Sequence, residues 1–380
     1  MRDRRTPTRS GESSQSNRLS IGFDVGPLRG HRTGVGQAVS GTLDAVRSTN
    51  AIEISPYVLS LRAQRSSGTR KLPLPAALAH RWWRHPAPAV DRLIGRPDLV
   101  HGTNYVVPPT KCPRLVSVYD CWFLDHPGDA TPDVRRAGDI LRRSVQTGAH
   151  ILTCSNATTA RVRDLLDTDA VTMVPLGPPP SATVASLWPV DIDLQPGQPF
   201  VLSLGTVERR KNVRSLIAAF ERLAAEHQHV RLVIAGAPGN DQAAVDAAIE
   251  LLAPTVSDRI VQLGVIDQTL KSQLLRHAAA LGYVSLDEGF GFPLLEAQQA
   301  ALPIVASTAG SIPEVAGAAA LFSSPHDIDA IAANLHLAVT SSSVRSRLAL
   351  QASRNLDRFS WTTTASLLTN LYHDLVNGVR

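Results

Sequence analysis

The sequence predicts an α/β protein made of two parallel-sheet domains. Three observations point to it. Through the second half of the chain, short apolar runs bounded by turn residues alternate with amphipathic stretches, the pattern of a parallel sheet covered by helices on both faces. The first half repeats that theme less regularly. The 380 residues exceed a single ordinary core, and a dense run of prolines after Gly177 divides them.

Residues 1–18 carry five Arg against Asp3 and Glu12 and lack the apolar core of a signal peptide. They read as a disordered basic tail. A first strand is expected at 19–25. Thr33-Gly34-Val35-Gly36 then opens a helix that runs to about residue 47. Further strands are expected at 54–60, 98–102, 115–119 and 150–154. Pro178-Pro179-Pro180, Pro189, Pro196 and Pro199 mark a linker. Beyond it strands are expected at 200–204, 231–236, 259–264, 280–285 and 303–307. Helices lie between them at 213–225, 241–252 and 268–277. A last helix follows Phe359-Ser360-Trp361. The expected organisation is therefore a tail (1–18), an N-terminal acceptor domain (19–177), a linker (178–199), a C-terminal donor-nucleotide domain (200–358) and a terminal helix (359–380).

The stretch Glu288-Gly289-Phe290-Gly291-Phe292-Pro293-Leu294-Leu295-Glu296 holds the densest chemistry. A glycine-bearing loop runs into a proline suited to opening a helix. Such a loop aims backbone N–H groups and the positive end of a helix dipole at one spot, which suits a phosphate. A carboxylate stands on either side of that spot to take hydroxyls. A nucleotide-activated sugar has this order of groups: sugar, diphosphate, ribose.

The stretch resembles the E-x7-E motif of the family 4 retaining glycosyltransferases, which have the GT-B fold. Downstream, Pro303-Ile304-Val305-Ala306-Ser307 and Pro313-Glu314-Val315-Ala316-Gly317 are similar to that family's next strand and short helix. Upstream, Gly205-Thr206-Val207-Glu208-Arg209-Arg210-Lys211-Asn212 is similar to its R-K-N turn. The resemblance covers about residues 19–376. It implies two Rossmann-like domains facing across a cleft, with the terminal helix crossing back to the N-terminal domain. It also implies that Arg210 and Lys211 clamp the donor diphosphate. Glu288 would then face the donor sugar, Glu296 bind the ribose, and the backbone of Gly289, Phe290 and Gly291 approach the donor. The glycine loop with Gly34 and Gly36 resembles the family's N-terminal glycine-rich loop, which lines the cleft near the diphosphate and acceptor.

His101-Gly102-Thr103-Asn104-Tyr105 with Pro108-Pro109 looks like a stretch of mannosyltransferase-like members, which makes His101 and Asn104 candidates for sugar contact. Ser117-Val118-Tyr119-Asp120 occupies the place of the family's T-x-H-D. Tyr119 replaces the histidine there. A phenol with an ordinary pKa near 10 cannot cycle protons at neutral pH as imidazole does, though it can hydrogen-bond a sugar hydroxyl. Asp120 keeps the pattern.

Neutralising a departing nucleoside diphosphate requires a metal or fixed cationic and N–H donors. The one formal Asp-x-Asp, Asp191-Ile192-Asp193, lies in the proline-rich linker with no strand ahead of it. Metal-independent chemistry is expected, with no cofactor and with GDP-mannose the favoured donor. The expected partner is a glycan or glycolipid acceptor, as in polysaccharide biosynthesis.

Composition narrows the setting. Residues 1–180 hold 24 Lys and Arg against 15 Asp and Glu, a net +9, and the remainder is −4. A basic first half, with Arg81-Trp82-Trp83-Arg84, would suit peripheral contact with an anionic membrane face. Basic residues are not interleaved with aromatics in a nucleic-acid motif, so nucleic acid is not expected. Cys112, Cys121 and Cys154 show no metal-ligand spacing and read as reduced thiols of a cytoplasmic protein. Other readings stay open: a GT-B sugar-nucleotide hydrolase or epimerase, an inactive partner protein, and a dinucleotide-binding protein. The last is disfavoured because Val39 stands where the fingerprint wants a third glycine.

Overall fold

Apolar runs too short for helices form the strands of two all-parallel sheets. The computed structural model describes residues 18–29, 34–60, 68–74, 76–180, 188, 192 and 194–378. The first sheet holds β1 (Leu19–Asp24), β2 (Ile52–Leu59), β3 (Arg70–Leu72), β4 (Leu99–Gly102), β5 (Arg114–Val118), β6 (His150–Thr153) and β7 (Val171–Met173). Their order is β3-β2-β1-β4-β5-β6-β7. The second holds β8 (Phe200–Leu204), β9 (Arg231–Ala235), β10 (Ile260–Gly264), β11 (Ala280–Tyr283), β12 (Ile304–Ser307) and β13 (Ala320–Ser323), in the order β10-β9-β8-β11-β12-β13.

This is the expected pair of Rossmann-like sheets. β3, β7 and β13 were not anticipated, because three or four residues at a sheet margin carry too little pattern. The strand expected at 280–285 stops at Tyr283. Pro293 is the second rather than the first residue of its helix, Phe292–Gln299.

Each sheet has one reversal of strand order where ligands collect at the carboxyl ends: β1/β4 in the first and β8/β11 in the second. Amphipathic helices cover the faces. In Val213–Glu226 the residues Val213, Leu216, Ile217, Phe220, Leu223 and Ala224 form the buried stripe against β8 and β9.

The terminal helix, Trp361–Asn377, does cross back to the first sheet. Leu368, Leu371 and Tyr372 are buried with Ile21, Val46, Ile52 and Leu99. Trp361 donates from Nε1 to the Pro178 carbonyl at 2.8 Å, and its indole lies against Gly41 and Gly177, where a Cβ would come within 2.4 Å of the ring. Of the aromatic pair near residue 82, Trp83 is core and Trp82 is half exposed. Among the described residues no helix is long and apolar enough to cross a membrane. The tail up to residue 17, the loop 30–33, and Asp191 and Asp193 lie outside the described residues.

Candidate active site

The site grows from the turn after β8. Arg209–Lys211 form a single 3-10 turn that ends at Asn212, whose φ is +55°. Asparagine tolerates this left-handed conformation better than most residues. Its side-chain amide donates to the carbonyls of Val284 (3.0 Å) and Pro325 (2.8 Å), tying the turn to the end of β11. The R-K-N turn and the Glu288 loop are thereby held together at the β8/β11 reversal.

Glu288 is buried and bridges both cations. Its Oε2 accepts from Arg210 Nη1 at 2.6 Å, and its Oε1 accepts from Lys211 Nζ at 2.5 Å and from Ser285 Oγ at 2.7 Å. Lys211 also reaches the Tyr283 hydroxyl at 3.3 Å. Arg210 donates a second bond to the Asp287 carbonyl at 3.0 Å. Burial pushes the Glu288 carboxyl up, but Lys211 and Arg210 outweigh it and leave the pKa at about 2. Burial and the neighbouring Arg210 pull Lys211 down against the pull of Glu288. Arg210 is held above its ordinary range, because Glu288 and Asp120 outweigh its burial. A carboxylate this acidic stays ionised throughout the neutral range. Such a carboxylate is poorly suited to exchange a proton at neutral pH.

Glu296, one turn into the helix Phe292–Gln299, is buried and accepts from Lys271 Nζ at 2.6 Å. Phe290 turns its ring inward, packing edge-on against Phe292 and Phe359, so only its backbone faces the loop. Gly291 caps the helix at φ +95°. Gly289 lies against the first sheet's end, where a Cβ would sit 1.4 Å from the Tyr119 carbonyl oxygen. Its own carbonyl accepts from Thr158 Oγ1 at 3.2 Å and Cys154 Sγ at 3.4 Å.

The first sheet supplies the facing wall. Asp120 follows β5, and its charge is among those that raise the half-buried Asp287 carboxyl, after burial itself. Tyr119 packs among Phe23, Val25 and Val39 and meets Tyr105 edge-on. Asn104 is exposed in a turn whose next residue, Tyr105, has φ +58°. Gly34 and Gly36 lie in the first turn of the helix Gly34–Ser48, with Gly34 exposed and Gly36 buried. His101 is fully buried, with Nδ1 bonded to the Tyr372 hydroxyl and Nε2 to Ser117 Oγ, both at 2.8 Å. Both ring nitrogens are thus engaged by the protein itself.

The structure brings Arg210, Lys211 and Glu288 into direct contact and sets Gly289 against Tyr119 and Asp120. Sequence reasoning missed Ser285, Tyr283 and Lys271, which no motif marks. It also missed Asp24, the last residue of β1 at the β1/β4 reversal. Asp24 accepts from the Gly26 amide at 2.8 Å, and burial raises its pKa to about 6. Its register partner on β2 is Tyr57, whose buried hydroxyl has no hydrogen-bond partner among the described residues.

Known proteins resemble this chain in sequence and in fold. Residues 187–354 match the family described as Glycosyl transferases group 1. O-antigen chain mannosyltransferase B of Escherichia coli is 28% identical over 285 residues, covering 72% of this chain and 74% of that protein. The serotype-specific mannosyltransferase WbdA of Escherichia coli is 30% identical over 169 residues, 44% of this chain but only 21% of that longer protein. Sucrose-phosphate synthase from Thermosynechococcus elongatus superimposes with a TM-score of 0.71, at 15% identity, covering 95% of this chain and all of that one. By fold the chain has the GT-B architecture, and in sequence it is similar to mannosyltransferases and other sugar transferases.

Proposed function

We propose that this protein is a retaining, family 4-type transferase that moves mannose from GDP-mannose to a glycan or glycolipid acceptor without a metal ion. The observation that carries the reading is the buried Glu288 held between Arg210 and Lys211 at the β8/β11 reversal. A nucleoside diphosphate entering there meets two fixed cations beside the start of the helix Phe292–Gln299. Arg210 and Lys211 stabilise the charge that grows on the phosphate as the sugar–phosphate bond breaks. Glu288 orients those cations and places a permanent negative charge beside the sugar carbon as it becomes cationic. The acceptor hydroxyl attacks from the same face, and the leaving phosphate takes its proton.

Glu296, steadied by Lys271, takes the ribose hydroxyls. Asp120 and Asp24 line the acceptor side. The mannosyl donor rests on the likeness around His101 and Asn104 and on the mannosyltransferase relatives. A glycan acceptor fits the O-antigen relative. The half-exposed Trp82 and the basic first half favour work at the cytoplasmic face of a membrane.

Calorimetric titration with GDP, UDP and dTDP, without added metal, tests this. Preference for GDP is expected, together with about a hundredfold loss of turnover in Lys211→Ala, the scale of one or two charge-assisted hydrogen bonds. Preference for UDP or dTDP would replace the donor and keep the mechanism. No binding by any of the three would overturn the transferase reading in favour of an inactive partner.

A further inference from the structure

The second sheet's outer helices carry a cluster that sugar transfer does not use. Glu226 ends the helix Val213–Glu226, His227 follows it, and His336 lies on the helix Ile328–Thr340. His336 Nδ1 is 3.0 Å from His227 Nε2 and 3.2 Å from Glu226 Oε2. All three ligand atoms lie within 4.8 Å of one another.

Protons satisfy this arrangement poorly. A neutral imidazole nitrogen either donates or accepts, and an ionised carboxylate only accepts. Nδ1 of His336 carries either one proton or one lone pair, so it makes one good hydrogen bond and leaves its other close neighbour poorly served. A cation serves all three at once. Metal–ligand bonds of about 2.0–2.1 Å in a tetrahedron place ligand atoms roughly 3.3 Å apart. The two closest pairs here, at 3.0 and 3.2 Å, lie just inside that edge length, so an ion needs only a small spreading of them.

The surroundings hold the cluster in place. Leu216, Ile217 and Phe220 of one helix share a core with Ile331 and Leu335 of the other, so the two backbones are packed together. Arg259 donates to the carbonyls of His227 and Ala224, each at 3.0 Å, and fixes the chain where the first helix ends. That end is also the negative pole of the helix dipole, which favours a cation. Two imidazoles and one carboxylate suit zinc and similar first-row ions, whereas magnesium and calcium prefer oxygen ligands alone.

We propose that Glu226, His227 and His336 bind one zinc-type divalent ion that clamps these two helices, with a water completing the tetrahedron. The helix Val213–Glu226 has 14 residues. At 1.5 Å per residue it sets the cluster about 20 Å from Lys211 at the helix's other end. The ion is therefore a structural clamp, separate from the transfer chemistry.

Calorimetry and thermal unfolding of the full chain with Zn²⁺, after chelator treatment and with Mg²⁺ as contrast, test the site. One Zn²⁺ per chain and a rise in Tm are expected, with no response to Mg²⁺. His336→Gln and His227→Gln should each lose at least about tenfold in Zn²⁺ affinity. They should also lose the rise in Tm, while circular dichroism reports an unchanged fold. No Zn²⁺ binding by the native protein, or unchanged binding by the double variant, would overturn the proposal.

Discussion

Glu288 and His101 are both buried polar side chains, and their partners give them opposite electrostatic fates. Glu288 meets two cations and stays charged. His101 meets two hydroxyls, and burial alone drives its pKa down to about 3, so the ring stays neutral. In an unfolded chain an imidazole titrates near 6.5. A lowered folded pKa means that the stability it confers is complete above about pH 6.5 and is lost as pH falls through about 3. Between about pH 6.5 and pH 4 the native protein should therefore lose Tm relative to His101→Gln, while the raised Asp24 carboxyl acts in the opposite sense in both proteins. His101→Gln should start lower at neutral pH and fall less steeply, because it has no proton to gain. Thermal melts of both proteins across that range would decide it. Parallel acid slopes would show that another group carries the titration.

The loop between β11 and the helix Phe292–Gln299 does two jobs at the scale of an element. It aims a helix start into the cleft, and it docks on the first sheet through Gly289. A side chain at Gly289 would collide with the Tyr119 carbonyl, which is backbone and cannot turn aside. Gly289→Ala should push the loop off Tyr119 and widen the cleft. Nucleotide binding, which rests on Arg210, Lys211 and the helix start, should change little. Turnover should fall about a hundredfold, as expected for a displacement of about 1 Å between reacting groups. Small-angle scattering, with nucleotide titration and turnover, would check this. An unchanged scattering profile with normal turnover would mean the contact is incidental.

At the scale of the whole molecule, a carboxylate from one domain caps a helix of the other. Glu314 accepts from the Asn156 amide (2.9 Å), the Asn156 side chain (2.9 Å) and the Ala157 amide (3.2 Å), at the start of the helix Asn156–Leu166. An acid at a helix N-terminus satisfies orphan N–H groups and complements the dipole. Arg209 pairs with Asp129 at 3.2 Å, and Asn240 donates to the Asp129 carbonyl at 3.2 Å, so a further point besides the Gly289 contact joins the halves. Glu314→Gln keeps the shape and removes the charge. It should weaken closure by roughly 1–2 kcal/mol, the difference between charged and neutral hydrogen bonds. The expected result is a more open ensemble by scattering and a raised KM for the donor. Identical scattering and KM would show that the cap stabilises its helix alone.

The sequence by itself determined the two parallel sheets, their longer strands and the helices near 34–47, 213–225, 241–252, 268–277 and 361–375, and it singled out the Glu288 and Arg210-Lys211 segments. Each is written in local signals: a run of apolar residues, a proline at a helix start, a glycine in a loop. The sequence did not mark the helices Pro132–Gln146, Asn156–Leu166, Ile328–Thr340 and Ser342–Leu356. The three strands at the sheet margins escaped because their three or four residues are not set off as clear apolar runs. Tertiary structure alone decided that His101 faces Tyr372, 271 residues away, and that Glu296 is held by Lys271 on another helix. It also decided that Asp24 and Tyr57 stand side by side at the sheet's end, and that His336 meets Glu226 and His227. A contact's partner is fixed by how the sheets pack and where helices cross. Those depend on the whole chain's buried surface, which no stretch of neighbouring residues records.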